Sequence, residues 1–471
     1  MSRRAIAWTM TAIMAIAVCD SLARIPVQVT DSLVPILQAQ QTSSVASAFF
    51  GSFGAAYLRP MRIAQIQALF ELSNGHYFLA YKAFHIAMVI ACFVLFLLAI
   101  DVGTAGGLAA LPFALTVLVG LHTFRGMVWE AYPINHFLEI AVFCLLALAL
   151  AKTRGGWWVD WAAALTFVMA SLTLESGLLV WVVIVTAWIV GFRGVSKRGV
   201  IALTGLLALY FLVRFPYLGT GAPTLAERSS GFGFGRLEPA ELVRRFDVWP
   251  YGFYAYNVAS SLISLLLSEP RGGTWTALAD LSVRRVSPGT VVNLGSSAIT
   301  TAVIGWFILT RVRSWRVSSQ VNDADRICVV SVAVLAANAA MSYGYTKDEI
   351  MSPGGVFYAL AAFVAMRELV VWIGRQPRAR WQSAVCGFAL AAASTGWAVR
   401  TVGLHYQMQM IAFAVRNEWV YVDDWLARQR AAPATAEGTQ IVNTLRNDAL
   451  ARTAVNPYLQ AQAARALRLF P

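Results

Sequence analysis

Apolar runs as long as a bilayer-crossing helix recur along this chain, and they exclude most folds open to a sequence of its size. A spanning helix needs about 20 mostly apolar residues. Runs near that length lie at Ala5–Leu22, Tyr77–Ile100, Gly103–Leu121, Ile134–Ala151, Trp157–Thr173, Ser176–Phe192 and Val200–Phe215. After a long gap come Val291–Thr310, Ile327–Ser342, Gly355–Ile373 and Trp381–Val399. Of the 471 residues, 58% are hydrophobic and 13% charged, where soluble domains hold roughly 45–50% and about 25%. Apolar surface in that excess is hidden only by lipid. The expected fold is an all-α, polytopic integral membrane protein with about eleven transmembrane helices.

Charge sets the expected orientation. There are 37 Lys+Arg against 24 Asp+Glu, a net +13, and in a membrane protein such a surplus gathers in cytoplasmic loops and faces anionic lipid. No nucleic-acid partner is expected. With Arg3 and Arg4 in the cytoplasm, the loops bearing Lys152/Arg154 and Arg193/Lys197/Arg198 fall on the same side. The short run Phe253–Leu267 decides the rest. Were it to cross, Arg311, Arg313 and Arg316, and later Arg375, Arg378 and Arg380, would face outward. Read as an interfacial helix on the outer side, it leaves both clusters inside and the C-terminus outside. The protein is thus expected in the cell (inner or plasma) membrane. Ala5–Leu22 has the basic start of a signal peptide, but no clear small-x-small site follows, so an uncleaved first span is expected. Cys19, Cys92, Cys144, Cys328 and Cys386 each lie inside an apolar run without a CxxC or a His at ligand spacing, so neither a disulfide framework nor a zinc site follows.

The expected division is a transmembrane region, 1–399, with outer loops 23–76 and 216–288, and a helical extracytoplasmic tail, 400–471. Within the first loop, apolar spacing over Val45–Leu72 predicts one or two helices along the membrane surface. The second loop, rich in Gly and Pro, reads as a mobile segment that turns helical from Pro239. Pro433 and Pro457 read as breaks in the tail.

The polar groups of interest map to the outer face. Asp31 follows the first span, and Tyr57-Leu58-Arg59-Pro60-Met61-Arg62 comes some thirty residues later. His122, Arg125, Glu130 and His136 lie between the third and fourth spans, Glu175 in the tight turn between the fifth and sixth, and Lys347-Asp348-Glu349 before Gly355. Asp31 also fits a helix cap, since it precedes an apolar helical stretch. Arg59 and Arg62 also fit an interfacial helix anchored to headgroups. His85, inside the second span, reads as a packing residue. Glu175 needs a partner or water, because a carboxylate in a short turn at the membrane boundary is costly otherwise. Gly231-Phe232-Gly233-Phe234-Gly235 is not a nucleotide-binding fingerprint, having no βαβ context.

An outer-loop Asp after the first span, Tyr57-Leu58-Arg59-Pro60, and the stretch Leu69-Phe70-Glu71-Leu72-Ser73-Asn74-Gly75-His76-Tyr77 together resemble the GT-C superfamily of polyprenyl-phosphate-sugar-dependent glycosyltransferases. The likeness is greatest to the protein O-mannosyltransferase branch and its tetratricopeptide-bearing relatives. In that branch a Tyr-Arg-Pro-Leu element is followed by an acidic residue, a Gly and a His entering the second span. Thr173-Leu174-Glu175-Ser176-Gly177 is similar to the family's Lys-Glu turn. The resemblance covers roughly Ala5 to Phe192 and continues beyond as topology. Asp31 is followed by Ser32 where the family has an acidic pair, Leu174 replaces the Lys, and the repeats are lacking.

The resemblance implies a membrane glycosyltransferase that moves a sugar from a polyprenyl-phosphate donor to a glycolipid, polysaccharide or protein acceptor at the extracytoplasmic face. Asp31 and Glu175 are the implied catalytic carboxylates, Asp31 taking the acceptor proton. Lys347, Arg59, Arg62 and Arg125 are candidates for the donor phosphate. Glu71, His76, His122 and Glu130 complete the candidate set, and no metal ligand set is evident. The rival readings are a transporter or flippase of lipid-linked saccharides and an inactive scaffold of the same fold. A transporter should carry ionisable groups near the midplane of broken helices, whereas here they lie at the outer ends and no repeat of fixed period is visible.

Overall fold

The computed structural model describes all residues except Met1, 25–28, 55–56, 75, 130–132, 220–228, 232–234, 238–243, 245–249, 268–272, 285, 317–320, 345–347, 376–379, 418–435 and 455–471. Helix α1 (Arg3–Arg24) leads into α2 (Val29–Gln41), α3 (Val45–Gly51) and α4 (Pro60–Ser73). Then follow α5 (Tyr77–Ala99), α6 (Ala105–Gly120), α7 (His122–Trp129), α8 (His136–Lys152), α9 (Trp157–Thr173), α10 (Leu179–Ile189) and α11 (Lys197–Leu212). The second half holds α12 (Pro250–Leu266), α13 (Gly273–Ser282), α14 (Pro288–Trp315), α15 (Asp323–Met341), α16 (Ser352–Arg375), α17 (Arg380–Asn417) and α18 (Ala436–Ala454).

The helix starts are written in the sequence. Thr104, Asn135, Ser196 and Ser287 each accept a backbone N–H from three residues on, and Asn322 and Asp325 form a reciprocal capping box. Pro60 and Pro288 stand at first helical positions, where the missing N–H costs nothing.

Among the described residues six helices are long and apolar enough to cross a membrane: Arg3–Ala23, Leu79–Ala99, Lys197–Tyr217, Pro288–Trp315, Asp323–Met341 and Glu349–Gly374. The apolar pair Ala105–Gly120 and His122–Val128 is bent by 67° at its break, the shape of a broken span or a re-entrant loop. Helices α8 and α9 have 17 residues each, and the apolar segment Glu175–Ile189 is shorter still. The protein is therefore an all-α, multi-pass membrane protein. Trp157, Trp161, Leu165, Ile201, Leu209 and Phe388 are exposed on the outside of the bundle, an apolar surface that suits lipid. Helix α16 is the axis. Every residue from Met351 to Met366 is buried, and α6, α14 and α15 pack around it.

The bundle has two polar ends. At one, Arg3 Nη1 donates to the Gly103 carbonyl, Arg367 pairs with Asp101, Lys152 Nζ donates to the Ala99 carbonyl, and Arg311 grips Asp325. These are the loops that the charge pattern assigns to one side. The other end carries α2, α3, α4, α7, the turn after α9 and the turn before α16. A second apolar cluster caps that end: Ile36, Leu37 and Ala39 of α2, Ile66 of α4, Tyr81 of α5, Ile134, and Ile441 and Val442 of α18. Gln40 Nε2 also donates to Glu437 at 2.8 Å.

Several expectations change in detail. The sequence division at 399/400 falls inside α17, which runs unbroken through it. Arg400 is buried in the bundle, where it donates to the Gly120 and Asn293 carbonyls and to Ser296 and Ser297. A hydrophobic run ends where apolar residues thin out, but a helix continues as long as its backbone bonds are made. Asp31 lies in the first turn of α2 and does not precede the helix as a cap. The Gly-rich segment contains a small antiparallel ribbon, Ser229–Gly231 with Gly235–Leu237. The run Phe253–Leu267 is helix α12. Its Asn257 side chain donates to the Tyr343 carbonyl, and its Leu266 carbonyl accepts from Thr301, so it packs on α14 and α15. Pro239, Pro433 and Pro457 lie outside the described residues.

Candidate active site

Glu175 opens a single 3-10 turn, Glu175–Leu178, between α9 and α10. The turn is tight because Gly177 backs directly onto α9, where a Cβ would lie 2.1 Å from the Ala170 carbonyl oxygen. Its backbone closes through Leu174 N–H to Ala170 and Gly177 N–H to Leu174. The carboxylate is thus held at the end of the bundle, and its partners come from two distant segments.

Arg59 supplies a fork. Its Nε donates to both carboxylate oxygens at 3.2 and 3.1 Å, and its Nη2 donates to Oε2 at 2.7 Å. Such a bidentate pair is stronger and more directional than a point contact. Arg59 is placed by its neighbours: Leu58 is buried, Pro60 starts α4, and the Tyr57 ring lies 4.4 Å from the guanidinium carbon. From the other side, Arg214 Nη2 approaches Glu175 Oε1 at 3.5 Å while Nη1 donates to the Tyr210 hydroxyl at 2.9 Å. Arg214 sits in a π-helical turn, Val213–Tyr217, that ends α11. Pro216 lacks the N–H that an α-helical turn would use there, so the turn widens. Two guanidinium groups against one carboxylate leave an excess of positive charge, the electrostatics an oxyanion would meet.

A second group adjoins the first. His136 starts α8, buried, with Nδ1 3.4 Å from Glu139 Oε2. Gln65 Nε2 donates to the other oxygen of Glu139 at 2.5 Å. The positive charges of Arg62 and Arg59 both bear on the His136 ring.

The remaining candidates divide. Asp31 stands on α2, in the cap above this end. Glu71 is exposed and accepts from Gln67 Nε2 at 3.0 Å; His76 is exposed ahead of α5. Neither has a described contact with the arginine pair. His122 and Arg125 are on α7, buried and half-buried respectively. Glu130 and Lys347 lie outside the described residues. His85 matches its reading as a packing residue: it is buried, with Nε2 2.8 Å from the Met127 carbonyl. Among the described residues no group of three or more His, Cys, Asp or Glu could hold a metal ion.

Sequence reasoning missed Arg214, Tyr210, Gln65 and Glu139. A signal existed for two of them, since Arg214 is an ionisable residue in the last turn of an apolar run and Glu139 is one inside such a run, positions that are costly without a partner. Comparison of the chain with known protein families, curated proteins and solved structures gives no match.

Proposed function

We propose that the chain is a membrane glycosyltransferase of the GT-C type. It would move a sugar from a polyprenyl-phosphate donor to an acceptor, whether glycolipid, polysaccharide or protein, on the extracytoplasmic side of the cell membrane. The observation that carries this reading is the ion pair between Arg59 and Glu175. Tyr57-Leu58-Arg59-Pro60 and Leu174-Glu175-Ser176 are two of the elements of the resemblance, and they meet at one place. Arg214 adds a cation where the donor's phosphate would need one.

In this reading eleven helices cross: α1, α5, α6, α8, α9, α10, α11, α14, α15, α16 and α17. The end with Arg3, Asp101 and Arg311 faces the cytoplasm, and the residues after α17 lie outside. Arg59 and Arg214 hold the donor phosphate as it becomes the leaving group, with Arg62, Arg125 and Lys347 contributing positive charge. Fixed cations suit a step in which negative charge builds on the leaving oxygen. Asp31 accepts the acceptor hydroxyl's proton as it attacks the anomeric carbon.

The test uses the purified chain in nanodiscs with radiolabelled polyprenyl-phosphate hexoses and an envelope extract as acceptor source. Label should leave the lipid in the wild type and stay on it in Arg59→Ala. Label that remains lipid-linked but crosses between leaflets of proteoliposomes would replace the enzyme reading with the transporter one.

A further inference from the structure

Glu349 lies in the 3-10 turn Asp348–Met351 that leads into α16. It is 6% exposed, and its Oε2 is buried with no hydrogen-bond partner among the described residues. Thr123 Oγ1, on α7, is in the same condition at 1% exposure. The two residues come from segments pressed together at two glycines. A Cβ on Gly126 would fall 2.5 Å from Glu349 Cγ, and one on Gly355 would fall 2.2 Å from Thr123 Oγ1. Ser352 Oγ donates to the Thr123 carbonyl at 3.1 Å and clamps the contact. Glu349 therefore lies across Gly126, and Thr123 across Gly355, at the break where the chain bends by 67° between α6 and α7.

This contact belongs to the same end of the bundle as Glu175. The Gly126 carbonyl accepts from Asn135 Nδ2 at 2.9 Å, and the next residue is His136, on which Arg59 and Arg62 act. Glu349 thus packs against α7 at the residue whose carbonyl Asn135 holds, one position before His136 at the start of α8.

A buried carboxylate with an idle oxygen works against folding, because its desolvation is not offset by a bond. Two idle polar groups in one contact between α7 and the segment entering α16, at a polar end of a membrane bundle, point to a ligand that completes them. Hydroxyl donors are suited to a carboxylate, forming short charge-assisted bonds, and the Thr123 hydroxyl can both give and accept. We propose that Glu349, with Thr123, recognises the hydroxyls of a saccharide. This rests on the glycosyltransferase reading, in which the arginines hold the phosphate of that sugar's carrier.

The test measures affinities of the full-length protein in detergent for citronellyl phosphate and for the same carrier bearing mannose, glucose or galactose, with the free methyl glycosides as a separate arm. The wild type should bind at least one glycosylated carrier more tightly than the bare phosphate. Glu349→Gln keeps the shape and removes the charge, and should cut that preference about tenfold while bare phosphate binds as before. Thr123→Val should cut it less. A structural carboxylate predicts a lower melting temperature in Glu349→Gln; an idle one predicts an equal or higher melting temperature. Loss of methyl glycoside binding with an unchanged carrier preference would assign the pair to the acceptor's sugar. A preference and glycoside affinity both unchanged in Glu349→Gln would overturn the proposal and leave the glycosyltransferase reading standing. A wild type indifferent to the sugar in every form would overturn both.

Discussion

Arg59 closes on Glu175 across 116 residues of sequence, with Nη2 and Oε2 2.7 Å apart and both side chains about three-quarters buried. The pair holds α4 against the turn between α9 and α10. Removing the carboxylate leaves Arg59 and Arg214 facing each other. Glu175→Ala is expected to destabilise the detergent-solubilised protein by about 1–3 kcal/mol. The double variant with Arg59→Ala should recover part of that loss, since the stranded cation goes with it. Additive losses in a double-mutant cycle of melting curves would show that the two residues do not interact in solution.

Asp31, in the first turn of α2, tests the proposed chemistry. Asparagine keeps the size but cannot take a proton. Asp31→Asn is expected to lower sugar transfer by about 10²–10⁴-fold with expression and donor affinity intact. Asp20→Asn, near the end of α1, should change little. A wild-type transfer rate in Asp31→Asn would move the base to Glu175 or Glu71.

Sidedness is tested by labelling intact cells with a membrane-impermeant maleimide in a cysteine-free background. Cysteines at Gly231 and at Ala436, which begins α18, should react from outside. One at Ser314, three residues from the Arg311 that holds Asp325, should react only after the cells are opened. External labelling of Ser314 would mean that α12 crosses the bilayer.

Asp325 is fully buried. It accepts from Arg311 Nε and Nη2 at 2.6 and 2.7 Å, from Trp315 Nε1 at 3.2 Å and from the Asn322 N–H at 3.0 Å, so one carboxylate joins α14, α15 and the cap between them. Asp325→Ala strands a guanidinium and an indole N–H. Breaking a buried pair typically costs about 3–5 kcal/mol, and a marked fall in melting temperature should follow. Arg367→Ala, whose partner Asp101 is 58% exposed, should cost far less. Similar shifts for the two would contradict the burial difference.

How much of the site the sequence disclosed depended on the range of each interaction. Glu175 stood out because a carboxylate in a short apolar-flanked turn has a local cost that demands a partner; that the partner is Arg59, and that Arg214 joins from the far side, had no local signal. His85 was legible as a packing residue because it stands within an apolar span. Glu349 was visible only as one of three charges in a row, Lys347-Asp348-Glu349, and nothing nearby marks it as the one that turns inward over Gly126.

The apolar runs, their caps and the bias of Lys and Arg determined an all-α membrane bundle and the grouping of its loops. Each of these follows from the length of chain needed to satisfy its own backbone in lipid, or from a charge at a single loop. Tertiary packing alone decided that α17 runs on through Arg400, that α2 is capped by α18, and that Arg59, Glu175 and Arg214 converge while Glu71 and His76 stay in the open. Those outcomes depend on which faces of the helices meet. An apolar run nearly uniform all round carries almost no amphipathic signal for its facing side, so the contact is set by the shape and the few polar groups of its neighbours.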